Sequence, residues 1–292
     1  MYPKGLKFAA PQLRRIVSNV EVERKFNPGP KFASLFLNNN PAKPQTQSRE
    51  AYGKLEAWPF TVLRLPGQLI RDIYYDTHDD ELCRLRGLWV RQRQVSVLPH
   101  SPFQLENYPS GGVSGDCAKL PAMDHSDKAQ WNAKLRVGGH FNNSQFVEFD
   151  GKENVSAEIL RASEMKTKLE DLQVTVDLQT RRQSWEVTQL ANGATPSAKM
   201  TVVMDEVTEA DASAAGPEES TFLHTIGEVE LFQQLVTEDK EDAEHELYRK
   251  EVAAQRMAEL KEFVLENPDL FSTTPKPIGK LSAYEAWKAS RR

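Results

Sequence analysis

The chain has 292 residues, of which 39% are hydrophobic, and its 42 acidic and 37 basic side chains give a formal net charge of −5. This balance argues against a general nucleic-acid-binding protein, which is usually basic, but it allows a local basic cavity. Cys83 and Cys117 are the only cysteines, so a disulfide framework is excluded and a reducing compartment is favoured. No apolar run approaches the roughly 20 residues of a membrane helix.

The first residues are basic and contain no acid. Lys4, Lys7, Arg14 and Arg15 lie within the first 20 positions. We interpret residues 1–18 as a basic tail of a cytoplasmic protein. A mitochondrial presequence, with a matrix location, is the alternative.

Alternating and helical patterns then follow along the chain. The predicted strands span residues 20–26, 69–75, 88–95, 131–137, 145–149, 174–187, 199–207 and 225–231. Helices are expected at 30–37, at 155–172 with Asn154 as N-cap, at 239–266, and from about Leu281. Residues 96–128 are rich in turn formers and are predicted to be a disordered insertion. This order predicts one antiparallel α+β domain over residues 19–292.

The first strand contains the stretch EVERKF. Side chains alternate between faces along a strand, so Glu21, Glu23 and Lys25 share one face. Later strands repeat this arrangement with acidic or basic residues two positions apart. For each strand taken alone, a polar face exposed to solvent is a sufficient explanation. Together they favour a barrel whose charged faces point inward.

In such a barrel, basic and acidic side chains would share one interior. The basic set is Lys25, Arg91, Arg93, Lys134, Arg136 and Arg182, and the acidic set is Glu21, Glu23, Asp205, Glu228 and Glu230. Buried charges must be paired or must bind ions. Arginine and lysine suit phosphoryl oxygens, and carboxylates suit Mg²⁺ that bridges to phosphates. The pattern therefore predicts a site for a polyanion with divalent cations.

Several motifs occur in an order that resembles the CYTH superfamily of triphosphate tunnel enzymes, and most of all its thiamine triphosphatases. They are EVERKF, YYDT (74–77), WVRQR (89–93), WNAKLR (131–136), TRRQSW (180–185), MDE (204–206), IGEVE (226–230) and GKL (279–281). The resemblance covers about residues 19–290. It implies an eight-stranded antiparallel β-barrel, or tunnel, with covering helices and a small-molecule triphosphate as ligand.

The resemblance also implies roles for individual residues. The metal ligands, for Mg²⁺ or alternatively Mn²⁺, would be Glu21, Glu23, Asp205, Glu228 and Glu230. The phosphate-binding residues would be Lys25, Arg91, Arg93, Lys134, Arg182 and Lys280. Lys25 and Glu230 are the predicted catalytic residues. Val203 stands where related enzymes tend to carry a second acid, so one ligand of that set is missing here.

Trp89 shares a strand face with Arg91 and Arg93 and is expected to bind substrate. Its indole could stack on a cationic thiazolium ring, and a packed structural aromatic is the alternative interpretation.

The leading prediction is metal-dependent hydrolysis of thiamine triphosphate to the diphosphate and phosphate by a monomer. Inorganic tripolyphosphatase, a class IV-type adenylate cyclase and a non-catalytic triphosphate-binding module are alternatives. No Walker A, HExxH or GxSxG stretch occurs.

Overall fold

Eight antiparallel strands form a closed barrel in the computed structural model of the protein, which describes residues 15–37, 48–51, 54–98, 128–140, 143–189, 199–210, 221–238 and 242–291. In chain order the elements are β1 (Arg15–Pro28), β2 (Ser48–Ala51), β3 (Lys54–Ala57), β4 (Phe60–Arg64), β5 (Gln68–Asp76), β6 (Leu88–Val97), β7 (Gln130–His140), β8 (Asn143–Asp150), α1 (Lys152–Ala162), β9 (Gln173–Gln189), β10 (Lys199–Glu209), β11 (Leu223–Glu238), α2 (Asp242–Glu266), β12 (Phe271–Ser272) and α3 (Lys280–Ala289). Around the ring the order is β10-β11-β1-β8-β7-β6-β5-β9, and β9 pairs with β10 to close it. The predicted α+β fold with an eight-stranded antiparallel barrel is confirmed.

The smaller strands lie outside this ring. β4 pairs with β9, β12 pairs with the end of β1, and β2 and β3 form a separate two-stranded sheet. None of these four strands is part of the ring.

The hydrophobic core lies on the outer face of the barrel. Val20, Val22 and Phe26 of β1 are fully buried and belong to the same cluster as Met257 and Leu260 of α2. Because alternate side chains of a strand point to opposite faces, this packing directs Glu21, Glu23 and Lys25 into the interior. The apolar half of the EVERKF pattern thus fixes the direction of its charged half.

A glycine in β11 makes room for this core. Gly227 pairs with Phe26, and a Cβ atom at Gly227 would lie 2.5 Å from the Phe26 ring. A side chain there would push the ring away from the sheet. The glycine of the IGEVE motif therefore lets the Phe26 ring lie against the outer face of β11. The next residue, Glu228, points to the interior face.

The predicted second helix is shorter than expected. It ends at Ala162, and Glu164 and Met165 adopt left-handed backbone conformations with φ of 53° and 66°. Asn154 is not the N-cap. That position is taken by Gly151, and the Asn154 side chain instead donates a hydrogen bond to the backbone oxygen of Asp150 at 2.8 Å.

The long helix α2 matches its predicted span closely, but one side chain lies off its apolar stripe. Leu247 is exposed, whereas Ala253 is buried. The two residues are six positions apart, which places them about 120° apart around a helix. No helix among the described residues is long and apolar enough to cross a membrane.

Two expected segments have different limits in the structure. β1 begins at Arg15, inside the predicted tail, and β6 continues through Ser96 and Val97, inside the predicted insertion. Residues 1–14 and 99–127, which hold the remainder of the tail and almost all of the insertion, lie outside the described residues.

Candidate active site in the barrel interior

A cavity of about 370 Å³ inside the barrel brings together nearly all the predicted site residues. Those that line it are Glu21, Glu23, Lys25, Trp89, Arg91, Arg93, Lys134, Arg182, Glu228, Glu230 and Lys280. Asp205 is the exception, since it lies beside the cavity and contacts it through Arg182. Residues from seven barrel strands and from α3 therefore meet in one polar interior.

One wall of the cavity is formed by β1 and β11, which pair so that Lys25 lies opposite Glu228 and Glu23 opposite Glu230. The Lys25 ammonium contacts Glu23 and lies 3.1 Å from Glu228. Burial opposes the charge of Lys25, but the two carboxylates outweigh it and raise the lysine pKa above its usual range. Burial likewise opposes ionisation of Glu228, yet Lys25 and Arg182 lower its pKa to about 2.

Glu230 is in the opposite electrostatic situation. Burial raises its pKa to about 8, and Arg182, whose guanidinium is 3.8 Å away, compensates only in part. Glu21 and Glu228 add to the rise. The pKa of Glu23 is also raised, mainly by burial and with contributions from Glu228 and Glu21. This wall therefore carries more carboxylate than its cations neutralise.

Lys134 of β7 links this wall to β8. Its ammonium contacts Glu21, lies 3.3 Å from Glu148 and 3.9 Å from Glu23. Burial lowers the lysine pKa, but these three carboxylates raise it above its usual range. Lys134 is thus held as an ammonium ion in the centre of the barrel.

The facing wall is organised by Asp72 of β5, whose side chain is fully buried. Arg93 donates two hydrogen bonds to it, both of 2.7 Å, and Lys280 donates one of 3.0 Å. Arg91 lies 3.7 Å away. Burial opposes ionisation of Asp72, but these three cations hold its pKa well below the usual range. One carboxylate therefore fixes three predicted phosphate-binding residues.

Arg182 and Asp205 form a second such contact. Arg182 of β9 donates two hydrogen bonds of 2.7 Å to Asp205 of β10, and the two residues are direct neighbours in the strand register. Val203, two positions earlier on β10, is buried and pairs with Glu228. Asp205 therefore orients Arg182 toward Glu230, and its predicted role as a metal ligand stays a prediction.

Lys280 reaches the cavity from the first turn of α3. The helix is attached to the barrel by Tyr284, which donates a hydrogen bond of 3.0 Å to Glu209 and packs against Phe222. The ring nitrogen Nε2 of His224 lies 2.8 Å from the backbone oxygen of Ile278 just before the helix. These contacts place Lys280 beside Asp72 at one end of the barrel.

Trp89 is positioned by a tight turn before β6. The buried carboxylate of Asp76 accepts hydrogen bonds from the backbone N–H groups of Leu82 and Cys83, at 2.9 and 2.8 Å. The short helical turn Glu81–Arg86 that it caps ends at Gly87, which has φ of 66°. This left-handed residue reverses the chain into β6. The YYDT motif is therefore structural around Asp76.

Trp89 has both an aromatic and a cationic neighbour. The ring of Phe146 lies edge-on to the indole at 5.6 Å between centroids, and the guanidinium of Arg136 lies over the indole at 5.4 Å. Both predicted interpretations of Trp89 are compatible with this geometry, because the indole lines the cavity and also packs against the protein.

Sequence reasoning did not identify two carboxylates of the site, Asp72 and Glu148. The available signal was strand alternation, since Asp72 shares a face with Tyr74 in β5 and Glu148 shares one with Phe146 in β8. Within the predicted strand spans 69–75 and 145–149 each is the single acid, whereas the observed strands extend to Asp76 and Asp150. The search for charge pairs two residues apart therefore passed over both.

The carboxylates of the cavity are also the predicted ligands of the metal ion. Among the described residues, no three or more His, Cys, Asp or Glu side chains are arranged as ligands of one metal ion, because Glu21, Glu23 and Glu228 instead contact lysines. The chemistry of the set nevertheless fits Mg²⁺, which needs only one or two carboxylates in addition to water and phosphate oxygens. Burial is the main cause of the raised pKa of Glu23 and of Glu230, and Glu21 and Glu228 add to both shifts, so a cation beside these carboxylates would offset their repulsion.

A second cavity of about 480 Å³ follows the first along the barrel. Arg91, Arg93 and Glu148 line both. β6 runs from Trp89 beside the first cavity to Val95 beside the second, so the two lie toward opposite ends of the barrel. Arg91, Arg93 and Glu148 therefore lie where the two cavities adjoin.

A scan against protein-family models gives no match, and a search of curated proteins gives none either. Among solved structures, the chain is similar to the PH1819 protein from Pyrococcus horikoshii OT3. The identity is 12% and the TM-score is 0.32, over 81% of this chain and 89% of that chain. A similarity of this size carries no argument about function, which is therefore inferred from the geometry of the cavity.

Proposed function

We propose that the protein hydrolyses thiamine triphosphate to thiamine diphosphate and phosphate inside the barrel, with Mg²⁺ or Mn²⁺ as cofactor. The observation that carries this proposal is the pairing of the predicted phosphate-binding residues with carboxylates of the same interior. Lys25, Lys134 and Arg182 contact acids of β1, β8, β10 and β11, while Arg91, Arg93 and Lys280 converge on Asp72.

Such an interior is suited to exchanging its ionic partners. Phosphoryl oxygens of a triphosphate can replace carboxylates as partners of the lysines and arginines, because both are hard anionic acceptors. The carboxylates released from Lys25 and Lys134 are then available to a divalent cation. A ligand with several adjacent phosphates satisfies both sets of charges, as an isolated monophosphate does not.

The residues of the chain have distinct proposed roles in the reaction. Lys25, Lys134 and Arg182 neutralise charge on the phosphoryl group that is transferred, and Arg91 and Arg93 position the chain of phosphates. Glu230 orients the attacking water and accepts its proton. Glu21, Glu23 and Glu228 would hold the metal with Glu230. A bound Mg²⁺ supplies Lewis-acid stabilisation of phosphoryl oxygens.

Inorganic tripolyphosphate is the second candidate substrate. The observation that favours it is the position of Arg136, whose guanidinium already lies over one face of the Trp89 indole, the ring proposed to stack on a thiazolium. A substrate without an organic group needs no such contact and uses only the basic residues of the barrel.

The proposal is tested by measuring phosphate release from thiamine triphosphate, tripolyphosphate and ATP with Mg²⁺ and with Mn²⁺. We expect hydrolysis of thiamine triphosphate, and loss of hydrolysis in Lys134→Ala. Lys166→Ala is the matched control because Lys166 is an exposed lysine whose ion pair, among the residues that the structure describes, is with Glu164 on the surface. If phosphate is released from tripolyphosphate but not from thiamine triphosphate, tripolyphosphate is the substrate instead. Tight binding without release would indicate a non-catalytic binding module, and neither binding nor release would refute the proposal.

A further inference from the structure

The aromatic rings that line the first cavity are each covered by a cation of the protein itself. Lys280 lies over Tyr74 at 5.9 Å, Arg136 over Trp89 at 5.4 Å, and Lys134 over Phe146 at 5.3 Å from ammonium or guanidinium to ring centroid. Tyr74, Trp89 and Phe146 are the aromatic residues in the lining of this cavity. Ring faces that could attract a cationic ligand are therefore already in use.

Arg136 differs from the other two cations. Lys134 and Lys280 are each held by carboxylates as well as by a ring. Within the described part of the chain, Arg136 forms no ion pair, and its guanidinium has the indole of Trp89 as its aromatic partner. Its stem packs over Gly87, where the backbone N–H of Arg136 donates a hydrogen bond of 2.8 Å to the Gly87 carbonyl. No carboxylate in the described ranges therefore neutralises its charge.

From this geometry we infer that Arg136 is a specificity-determining residue, which reduces the advantage that Trp89 gives to thiamine triphosphate and thereby lets the site also accept fully anionic triphosphates. A thiazolium ring that stacks on Trp89 must displace the guanidinium, and it then lies near a like charge. An inorganic tripolyphosphate has neither disadvantage, because a phosphate near Arg136 gains a partner. This inference depends on the proposed triphosphate hydrolysis.

The test is the ratio of kcat/KM for tripolyphosphate to kcat/KM for thiamine triphosphate. Arg136→Gln removes the charge but keeps the Cβ and the first part of the stem, which pack over Gly87. We expect this variant to lower the ratio about fivefold, the size of effect of one cation–π contact at a partly exposed site. Arg136→Lys keeps the charge and is expected to keep the ratio within about a factor of two.

Arg84→Gln is the matched control. Arg84 is exposed on the helical turn before Gly87 and does not line the cavity, so the same change of net charge there is expected to leave the ratio unchanged. Binding of both substrates to each variant, measured by calorimetry without added metal, reports the same preference independently of turnover.

The possible outcomes separate this inference from the proposed function. Hydrolysis or binding of both substrates with an unchanged ratio in Arg136→Gln would overturn the role of Arg136 alone. A shift of the same size in Arg136→Lys would also overturn it, since charge would then not be the cause. If the native protein neither binds nor hydrolyses either substrate, both proposals are wrong.

Discussion

The centre of the barrel and its Trp89 end use cations in different ways. In the centre, Lys25 is buried, Lys134 is mostly buried, and each contacts two or more carboxylates. At the Trp89 end, Arg136 is exposed and its contact is with an aromatic face. Removal of one partner from a buried ion pair costs far more than removal of a partly exposed cation.

This difference suggests a division of labour. The centre fixes charges whose positions must not change, so it suits the phosphoryl groups common to all candidate substrates. The Trp89 end contains a weaker contact that a ligand can exchange, so it suits discrimination between substrates. The predictions below test this division, in order of decreasing expected effect.

The largest effect is expected from Lys25→Met, which replaces the ammonium of the central wall by an apolar group of similar length. We expect kcat/KM to fall about 10²- to 10³-fold on thiamine triphosphate and on tripolyphosphate alike, because one preorganised cation is lost. Lys31→Met is the control, since the Lys31 side chain is 39% exposed, does not line the cavity and, among the described residues, forms its ion pair with Asp269. Equal effects of the two variants would show that the centre has no special role.

A large loss of stability is expected from Asp72→Asn. The variant leaves Arg91, Arg93 and Lys280 without their shared carboxylate, so urea denaturation should show a free energy of unfolding lower by roughly 3–5 kcal/mol. Asp79→Asn changes an exposed aspartate of the adjacent loop and should stay within about 0.5 kcal/mol of the native protein. A small loss in Asp72→Asn would mean that the facing wall does not depend on this residue.

Asp72 is also expected to make the free energy of unfolding depend on pH, with an effect smaller than that of Asp72→Asn. The pKa of Asp72 is depressed in the folded protein, mostly by Arg93 against the opposing effect of burial. Its contribution to stability is therefore present above the unfolded pKa of about 3.9 and is lost as the pH falls toward the folded value. The stability difference between the native protein and Asp72→Asn should thus be constant from pH 7 to 5 and narrow below about pH 4. A difference that widens in acid would contradict this assignment.

The smallest effect is expected at the Trp89 end. Trp89→Leu should lower kcat/KM for thiamine triphosphate by about threefold and leave tripolyphosphate almost unchanged, because Arg136 already occupies the indole face. In the Arg136→Gln variant, Trp89→Leu should lower kcat/KM for thiamine triphosphate by a larger factor, since the indole face is then free to stack on the substrate. Strictly additive effects in this double-mutant cycle would argue against exchange of the two cations on Trp89.

Local patterns were sufficient for much of the barrel. The period-two alternation in EVERKF and IGEVE predicted both the strands and the faces that carry Glu21, Glu23, Glu228 and Glu230, and these side chains do line one cavity. Helix limits were predicted less well. Residues 163–172 leave the helix because Glu164 and Met165 have left-handed backbone conformations that no residue type at those positions signals.

Local patterns did not predict which acid pairs with which base. Lys280 and Asp72 are 208 positions apart in the chain and meet only because α3 closes over the barrel end. Arg136 reaches Trp89 because β6 and β7 pair with Trp89 opposite Lys134, a register that the separate strand patterns do not specify. Glu148 was missed for the same reason, as its partner Lys134 is on the neighbouring strand.

The sequence by itself determined that several strands carry a charged face opposite an apolar one, since alternation is a property of neighbouring residues. Only the tertiary structure decided that the charged faces point inward, because burying Val22 and Phe26 under α2 leaves Glu23 and Lys25 the interior. It also decided which acid neutralises which base. Such pairing depends on closure and register of the barrel, and both arise from contacts between residues far apart in the chain.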